Sequence, residues 1–438
     1  MFSAYEIADN MGLKPAISSE LFERIQLWND MYSGAAPWLD GETVSLRLEQ
    51  GIVREFANIV LNEMTVSVSN EKLDGIFQAA LRNMNENLQS GLATGAMIIK
   101  PVSIDKVQFV SQSSFVPIEY DGARWLTKVI FPETKQSGNT FYTRLEYHSL
   151  SPDKGLEIFN RAYKSRSENS IGRQISLDEV EEWAALPEYI AYPMMKRPAF
   201  GYYRNPIKNT IDSGFGGISI FESAVDMIRC ADEQFGRLDW EFESGKRIIH
   251  VSEDMVKKMN DGTLDIKMKR LYRGLDSANG DDLYHEYSPA LRQADISAGL
   301  DEYKRLIEFQ TCLAYGDISN PQSVEKTATE VLTAKKRKYN MVMAIQQNLR
   351  DCLDDLVYAL AFYNSMATVP YDFNCEFNDS ILADDETERA QDREDMANGT
   401  LSPAEYRAKW RGETLEQATA AIEKIKAENP SMKNLIGE

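Results

Sequence analysis

The chain has 438 residues, which exceeds one small domain and leaves room for roughly two to four packed units. Hydrophobic residues make up 43% of the sequence and charged residues 26%, with only 25 glycines and 15 prolines, a composition that excludes a disordered or fibrous chain. The 48 Lys and Arg against 68 Asp and Glu give a formal charge of −20, which argues against a protein that coats nucleic acid by neutralising its phosphates.

Cysteine usage and the lack of a long apolar run predict a protein made in the cytosol. The four cysteines are too widely spaced for a metal-binding pair and too few to cross-link a chain of this length, so we expect them to be reduced. The N-terminal segment contains charged side chains and no apolar run, and no window approaches the ~18 apolar residues of a membrane helix. We therefore expect neither a signal peptide nor a membrane span.

The first half of the sequence changes from a helical to a strand-rich pattern near residue 96. Residues 18–90 are predicted to be helical because Leu21, Ile25 and Trp28 recur at steps of four and three. Short β-rich runs separated by Gly, Pro, Asn and Asp follow up to about residue 193. The predicted strands are Met97–Val102, Val107–Val110, Trp125–Phe131, Phe141–Tyr147 and Leu156–Tyr163. These strands predict a mixed sheet packed on the first helices.

Residues 217–244 give the clearest helical signal in the sequence. Ser219 and Glu222 form an S-x-x-E capping box, apolar residues recur every three or four positions, and Gly245 follows the last turn. The faces outside the apolar stripe are strongly acidic, with two arginines against seven carboxylates. The carboxylates are Glu222, Asp226, Asp232, Glu233, Asp239, Glu241 and Glu243.

A second amphipathic helix is predicted at about 293–315, and a compact insertion, 246–291, separates it from the first. Antiparallel packing of the two helices would form a stalk that carries the insertion at its tip. A polar loop at 316–325 then leads to a T-x-x-E capping box and a helix of roughly forty residues that ends near Met366. A helix of this length is typical of a large assembly or bundle.

The C-terminal residues predict one short strand followed by three helices. The strand spans Tyr371–Phe377, and an acidic stretch at 384–388 separates it from the helices. Ser402 with Pro403, and Thr414 in a T-x-x-Q capping box, are typical helix N-termini. The predicted helices lie near 385–397, 403–411 and 414–428.

The sequence lacks the familiar enzymatic motifs. It contains no P-loop, no H-E-x-x-H and no G-x-S-x-G elbow, and the glycine cluster at 214–217 lacks the third glycine of a dinucleotide fingerprint. His148, His250 and His285 lie apart on predicted strands or loops, and we interpret them as structural. We interpret the acidic pair at 281–282 as solvated loop residues. We therefore predict no catalytic, cofactor-binding or metal-binding residue.

One basic block, Lys335-Lys336-Arg337-Lys338, lies near the start of the long predicted helix. Four consecutive residues spread around a helix, so they cannot form a single stripe that faces DNA. We predict that this block pairs with acidic groups of a neighbouring subunit.

Five groups of short motifs occur in order along the chain. They are Trp28-Asn-Asp-Met-Tyr32-Ser-Gly34 with Pro37-Trp38 and Glu63; Lys100-Pro101 with Phe115-Val-Pro117 and Tyr142-Thr-Arg-Leu-Glu146; Gly217-Ile-Ser219-Ile-Phe221-Glu-Ser-Ala224; Lys326-Thr-Ala-Thr-Glu330-Val331; and Asn398-Gly-Thr-Leu-Ser402 with Trp410-Arg-Gly412. In these motifs, and in the helix–insertion–helix order between them, the sequence resembles the portal proteins of tailed bacteriophages, of the type found in long-tailed phages of Gram-positive hosts. The resemblance covers nearly the whole chain.

The resemblance implies an α+β, predominantly helical portal-type fold that assembles as a cyclic ring, usually of twelve subunits. It assigns residues 1–216 to a wing, 217–244 and 293–315 to two stem helices, 245–292 to a clip, 316–325 to a tunnel loop, 326–379 to a long wing helix and strand, and 380–438 to a crown.

The resemblance also implies a function without bond chemistry. The ring would form the DNA channel at one capsid vertex of the virion, after synthesis in the host bacterial cytoplasm. A separate terminase motor would package double-stranded DNA through it, and the DNA would later leave through it into the tail. The implied partners are further copies of the chain, the DNA, the terminase large subunit, a head-completion or adaptor protein, and the major capsid and scaffolding proteins. No enzymatic activity, cofactor or membrane is implied.

Individual side chains acquire roles from the same resemblance. The tunnel-loop residues expected to approach DNA are Ser319, Asn320, Gln322 and Ser323. The residues expected to hold subunits together, with an ordinary intrachain core as the alternative for each, are Phe221, Phe235, Leu238 and Trp240. The acidic residues of the first stem helix would face the channel and repel phosphates, which would prevent tight binding.

Two other functions remain open at this point. A metal-dependent nuclease would need a carboxylate cluster and would cleave DNA in the presence of a divalent cation. A monomeric capsid adaptor would behave in solution as one species of 49.7 kDa.

Overall fold

The computed structural model describes residues 2–40, 43–62, 64–245, 248–251, 271–273, 284–287, 290–321, 328–377, 385–411 and 413–428. The chain divides into two units, Met1–Phe377 and Asn378–Glu438. Helices make up about 47% of the structure and strands about 20%, and the sheets are open. The expected combination of helices and sheets, with more helix than strand, is therefore confirmed.

The structure describes five helices before residue 96. Four of them lie within the range 18–90 that is predicted to be helical, but a strand at Met64–Val68 interrupts this range, and the remaining helix, Ala4–Asn10, precedes it. Their start and stop signals are local: the Ser18 hydroxyl accepts a hydrogen bond from the Leu21 amide (3.0 Å), and Gly34 ends the same helix with a φ of 78°. The apolar stripe of this helix, which includes Trp28, is fully buried. The helices are α1 (Ala4–Asn10), α2 (Ser19–Ser33), α3 (Leu48–Asn62), α4 (Glu71–Ala80) and α5 (Met84–Thr94).

The five strands predicted between residues 96 and 193 are all present, together with further strands that the sequence did not predict. Among the described strand pairs, all but one are antiparallel. The strands are β1 (Met64–Val68), β2 (Ala96–Pro101), β3 (Val107–Ser111), β4 (Val116–Tyr120), β5 (Leu126–Ser137), β6 (Thr140–Ser151), β7 (Gly155–Ser165), β8 (Arg173–Ile175), β9 (Tyr189–Tyr192), β10 (Gly201–Arg204), β11 (Ile248–Val251), β12 (Leu271–Arg273), β13 (Tyr284–Tyr287) and β14 (Phe373–Phe377).

Three of the described sheets lie in the body of the first unit. The largest has the order β4-β5-β6-β7-β8, with β9 also paired to β7; the others are β10-β2-β3 and β1-β14. The strands β5 and β6 extend beyond the predicted apolar runs, because their hydrogen-bonded ladder continues through polar residues to the Ser137–Thr140 pair. Apolar side chains from two sheets, including Ile98, Phe131 and Phe200, pack in one buried cluster.

Two antiparallel helices, α6 (Val225–Ser244) and α7 (Gln293–Gln310), form what we call the helix pair. Two contacts show their relative direction. The Gln234 side-chain amide donates to the Ile296 carbonyl (3.3 Å), and Glu241, later in α6, binds Arg292 (2.8 Å), which lies earlier in the chain than Ile296. The predicted antiparallel packing is confirmed, and Gly245 caps α6 as expected.

Both helices of the pair are shorter than predicted. A 3₁₀ turn, Glu222–Ala224, precedes α6, so the helix begins at Val225 instead of 217. The predicted capping box at Ser219 is wrong, because Arg24 and Trp28 bind the Glu222 carboxylate. The helix α7 ends at Gln310, and Cys312 then takes a φ of 62°, which a continuing helix cannot accommodate.

Three short strands are described within the insertion, in the order β12-β11-β13. His250 on β11 is opposite His285 on β13 in the strand register. The expectation that the histidines lie apart is therefore wrong for this pair. The acidic pair at 281–282 lies outside the described residues.

The long helix predicted after the polar loop is present as α8 (Ala328–Tyr363), with 36 residues. Its predicted capping residue, Thr327, lies outside the described residues. Cys352 on α8 packs against Gly201 of β10 so closely that a β-carbon there would lie 2.3 Å from the Cys352 carbonyl oxygen. This contact places α8 directly on the β10-β2-β3 sheet and explains the glycine.

The second unit contains the three predicted helices, α9 (Asp385–Ala397), α10 (Pro403–Arg411) and α11 (Leu415–Glu428). Reciprocal hydrogen bonds confirm the capping box of Thr414 with Gln417, at 3.1 and 3.3 Å. Trp410 donates to Asp392 (2.8 Å), which joins α10 to α9. Part of the acidic stretch at 384–388 lies outside the described residues, and the rest begins α9.

Candidate functional site

Two carboxylates, one on α6 and one on the 3₁₀ turn that precedes it, fix the helix pair to the N-terminal part of the chain. Asp232 is buried and accepts hydrogen bonds from the Trp38 indole (3.0 Å) and the Leu46 amide (2.8 Å). Burial raises the pKa of Asp232 despite these donors. Glu222 accepts from Arg24 and Trp28 of α2. The base of α6 is therefore held against α2 and the segment that follows it.

Three of the seven predicted channel carboxylates are bound by other segments of the chain, and Asp226 pairs with Arg229 on its own helix (3.5 Å). Glu222 and Asp232 bind the N-terminal segments, and Glu241 is 7% exposed and binds Arg292. The prediction that these three face a channel is wrong, because their carboxylates are directed to donors of the same chain. The acidic side chains of α6 that remain exposed are Asp226, Glu233, Asp239 and Glu243.

The apolar residues predicted to join subunits fall into two groups. Phe221 is fully buried within the chain, so its predicted role in subunit packing is wrong and the alternative, an intrachain core, is correct. Phe235 and Leu238 are half-buried. Trp240 is 68% exposed, an unusual position for the largest apolar side chain of a helix.

The second helix of the pair also leaves large apolar residues exposed. Leu300 and Ile307 of α7 are buried, whereas Leu306 is 43% exposed and Phe309 is 53% exposed. Each helix therefore buries one stripe and presents a second apolar surface outward. Such surfaces on a folded chain are typical of sites that bind another protein.

The loop after α7 is organised around one buried carboxylate. Glu308 is fully buried and accepts hydrogen bonds from the amides of Gly316 (3.0 Å), Ile318 (2.8 Å) and Ser319 (2.9 Å), and from the Ser319 hydroxyl (2.8 Å). Ser319 is itself 6% exposed, so its predicted contact with DNA is wrong. The carboxylate instead uses Ser319 to fix the loop against α7.

The remaining predicted loop residues are only partly described. Asn320 is exposed, and its amide donates to Asp301 of α7 (2.7 Å), so the loop is attached to α7 at a second point. Gln322 and Ser323 lie outside the described residues. Of this group, Asn320 is thus the residue that the structure describes as exposed.

The basic block divides into buried and exposed members. Lys338 is 7% exposed and pairs with Glu55 of α3 (2.8 Å) and with Asp317 of the loop (2.9 Å), so its predicted contact with another subunit is wrong. Arg337 lies over the ring of Phe309, 4.7 Å from its centroid. Lys335 and Lys336 are exposed and remain available to a partner.

A second polar cluster, in the six-stranded sheet, was not predicted from the sequence. The buried Glu146 carboxylate binds Lys100 (2.8 Å), Arg144 (2.9 Å) and His148 (2.7 Å) beside a cleft of about 840 Å³. Burial lowers the pKa of His148, and these three partners lower the pKa of Glu146 well below its usual range despite burial. In the sequence, the only sign of this cluster is the spacing of Arg144, Glu146 and His148, which places all three on one face of β6.

The structural interpretation of His148 is supported by this cluster. Glu146 pairs with Lys100 and Arg144 as well as with His148, whereas the buried Nδ1 of His148 has no hydrogen-bond partner among the described residues. Among the described residues, no group of three or more His, Cys, Asp or Glu is arranged to hold a metal ion. None of the described helices combines the length and apolar character that a membrane span requires.

No protein-family model matches the sequence, and no curated protein matches it.

The buried carboxylate of Glu49, on α3 near Asp232, gives the site a pH dependence. Burial and the Asp232 charge raise the pKa of Glu49 from its ordinary 4.5 to about 7. Between pH 4.5 and about pH 7, Glu49 holds more of its proton in the folded chain than in the unfolded chain. The free energy of unfolding therefore falls as the pH rises through this range. At pH 8 we expect the free energy of unfolding of Glu49→Gln, measured by urea denaturation, to exceed that of the unchanged chain by about 3 kcal/mol. Near pH 4.5 the two free energies should be equal.

The exposed Glu20 of α2 provides the matched control, because its replacement by Gln removes the same charge without a buried carboxylate. An advantage of Glu49→Gln that is equal at both pH values would contradict this account.

Proposed function

We propose that the chain is the subunit of a ring-shaped phage portal, through which a separate motor drives DNA into a capsid. The observation that carries the proposal is the helix pair, which bears an insertion between its helices and presents exposed apolar and acidic side chains on its outer faces. The order that surrounds it supports the proposal as well: a helix-and-sheet body precedes the pair, and a loop, a 36-residue helix and a small helical unit follow it.

Exposed apolar surface on the helix pair favours assembly over a solitary chain. Trp240, Leu306 and Phe309 each expose about half of their surface or more, and burying apolar area contributes about 25 cal/mol per Å². A contact between two different faces of one chain is repeated by every further copy, and it closes into a ring when the rotation between copies permits. The helix pair would then stand beside its neighbours around a central axis.

Charge explains how such a channel could pass DNA without holding it. Each chain carries a formal −20, or −240 for twelve copies. Exposed carboxylates on α6, such as Asp226, and on α7, such as Glu302, would repel phosphates at the lumen. Screening limits this repulsion to about 8–10 Å at physiological salt, so the channel would act on DNA only at close range.

The loop after α7 would meet the DNA at the narrowest part of the channel. Its two attachments, to Glu308 and to Asp301, fix the base of the loop and leave Asn320 exposed. An uncharged side chain there suits transient contacts with phosphates. The insertion would contact the terminase large subunit and later an adaptor protein, the body would face the major capsid and scaffolding proteins, and the assembled ring would lie at the portal vertex of the virion.

Mass measurement on the purified, untagged full chain tests this proposal. We expect light scattering to give about 600 kDa for twelve chains of 49.7 kDa, with no cleavage of linear DNA when Mg²⁺ is added. A single species of 49.7 kDa would contradict the ring and favour an adaptor, and metal-dependent cleavage would favour a nuclease.

A further inference from the structure

We propose that the subunits join through one contact between unlike surfaces: an acidic cleft on α6 of one copy receives a basic, apolar patch on α7 and α8 of the next. This inference rests on the proposed ring and specifies which side chains build it. The acidic cleft is defined by Val44, Glu233, Asp239 and Trp240. The basic patch is defined by Leu306, Phe309, Lys335 and Lys336.

The acidic cleft lies between α6 and the segment that precedes α3. It has a volume of about 630 Å³. Val44 is 56% exposed and Trp240 is 68% exposed, so both apolar walls are open to solvent. The charged side chains at its rim are Glu233, Asp239 and Glu243 against Arg237, which leaves an excess of negative charge.

Asp232 holds the cleft in shape. Its carboxylate binds both the Trp38 indole and the Leu46 amide, which fixes the segment carrying Val44 against α6. The cleft is therefore a formed feature of the folded chain, since partly buried hydrogen bonds connect its two walls. A partner would not have to order it, which reduces the entropic cost of binding.

The basic patch draws on two helices, α7 and α8, that are in contact at Phe309 and Arg337. Phe309 of α7 is 53% exposed, and the guanidinium of Arg337 on α8 lies 4.7 Å from its ring centroid. Lys335 and Lys336 directly precede Arg337 and are exposed. Arg337 thereby joins α8 to the apolar surface of α7, and Lys335 and Lys336 add two exposed positive charges to the same turn of α8.

The two surfaces lie on outward sides of the helix pair. A helix turns by about 100° per residue, so Trp240 lies roughly a third of a turn from Gln234, which binds α7. Phe309 lies about half a turn from Leu300, which α7 buries. Trp240 and Phe309 therefore remain exposed in the pair, and they lie on different helices. This placement suits a head-to-tail contact that every copy repeats.

The two surfaces are complementary in apolar character and in charge. The patch offers Leu306 and Phe309 to a cleft walled by Val44 and Trp240, and its two lysines carry charge opposite to that of the cleft. Two copies of either surface would instead bring like charges together. The contact also places Glu233 and Asp239 between subunits and leaves Asp226 and Glu302 for the lumen.

Charge reversal tests this pairing. At physiological salt we expect Lys335→Glu with Lys336→Glu to raise the concentration at which rings dissociate by about 100-fold, and Glu233→Lys with Asp239→Lys to do the same. All four changes together restore opposite charges, so the rings should return to within about tenfold of the unchanged chain. The matched control, Lys72→Glu with Lys106→Glu, alters net charge equally at two exposed lysines outside both surfaces and should leave the rings intact.

A mixing experiment tests the direction of the contact. Trp240→Asp blocks the cleft and keeps the patch, whereas Phe309→Asp blocks the patch and keeps the cleft. Each variant alone should be monomeric, and an equimolar mixture should form a one-to-one dimer that grows no further. Because dimer formation requires both variants to be folded, the mixture also controls for unfolding.

Each outcome bears on the inference. Rings that survive the charge reversals, a fourfold variant that stays dissociated, or a mixture without dimers would overturn the pairing of cleft and patch. If the unchanged chain forms no rings while the mixture still gives dimers, the contact stands and the proposed function fails. If the chain forms rings that the substitutions in the cleft and the patch do not dissociate, the proposed function stands and the contact fails.

Discussion

Glu308→Ala is expected to lower the free energy of unfolding by about 4 kcal/mol, because it leaves several buried donors without an acceptor. The Glu308 carboxylate accepts from three backbone amides and the Ser319 hydroxyl, all in the loop after α7. Hydrogen bonds to a charged group are each worth about 1.5–3 kcal/mol, and buried donors without a partner add a further cost. Urea denaturation followed by circular dichroism measures the change.

Two controls separate the loop from a general loss of charge. Glu302→Ala removes a carboxylate from the same helix, but its side chain is 63% exposed, so we expect a change within about 0.5 kcal/mol. Glu308→Gln keeps the shape and one acceptor oxygen and should fall between the two. A loss below about 1 kcal/mol in Glu308→Ala would contradict the role assigned to this carboxylate.

Phe221→Ala is expected to destabilise the chain by about 3–5 kcal/mol while leaving the assembled form unchanged. Phe221 is fully buried within the chain, so the substitution removes buried apolar area and leaves a cavity. A residue that joins subunits would give the opposite pattern, with a stable chain and no ring. Urea denaturation and light scattering on the same variant distinguish the two roles.

Met194→Ala is the matched control for Phe221, because Met194 is 81% exposed in the same unit. We expect it to change the free energy of unfolding by less than about 0.5 kcal/mol. Phe221→Ala with unaltered stability and no assembly would restore Phe221 to the subunit interface and contradict the burial found here.

Most helices were predictable from the sequence because helix periodicity and capping motifs depend only on residues close together in the chain. The periodicity of α2, the length of α8 and the capping box at Thr414 require only neighbouring residues, and the structure confirms each. The equivalent box at Ser219 fails because Glu222 meets Arg24, 198 positions away in sequence. A capping motif cannot reveal a tertiary partner that competes for its carboxylate.

The charge of the site was predictable from the sequence, but the direction of individual side chains was not. Asp232 and Glu233 are adjacent in an acidic helix, yet one is buried under Trp38 and the other is exposed. Lys336 and Lys338 divide in the same way, because Glu55 and Asp317 enclose only the second. These outcomes depend on contacts between distant segments, which composition and spacing do not contain.

Electron microscopy of the purified full chain tests the ring most directly. The helix pair, its outward apolar residues and its excess of carboxylates together predict a particle of repeated subunits around a central hole wide enough for a DNA duplex. Class averages with a perforated ring are the result we expect. Solitary particles of 49.7 kDa, or closed assemblies without a central opening, would contradict the proposed channel.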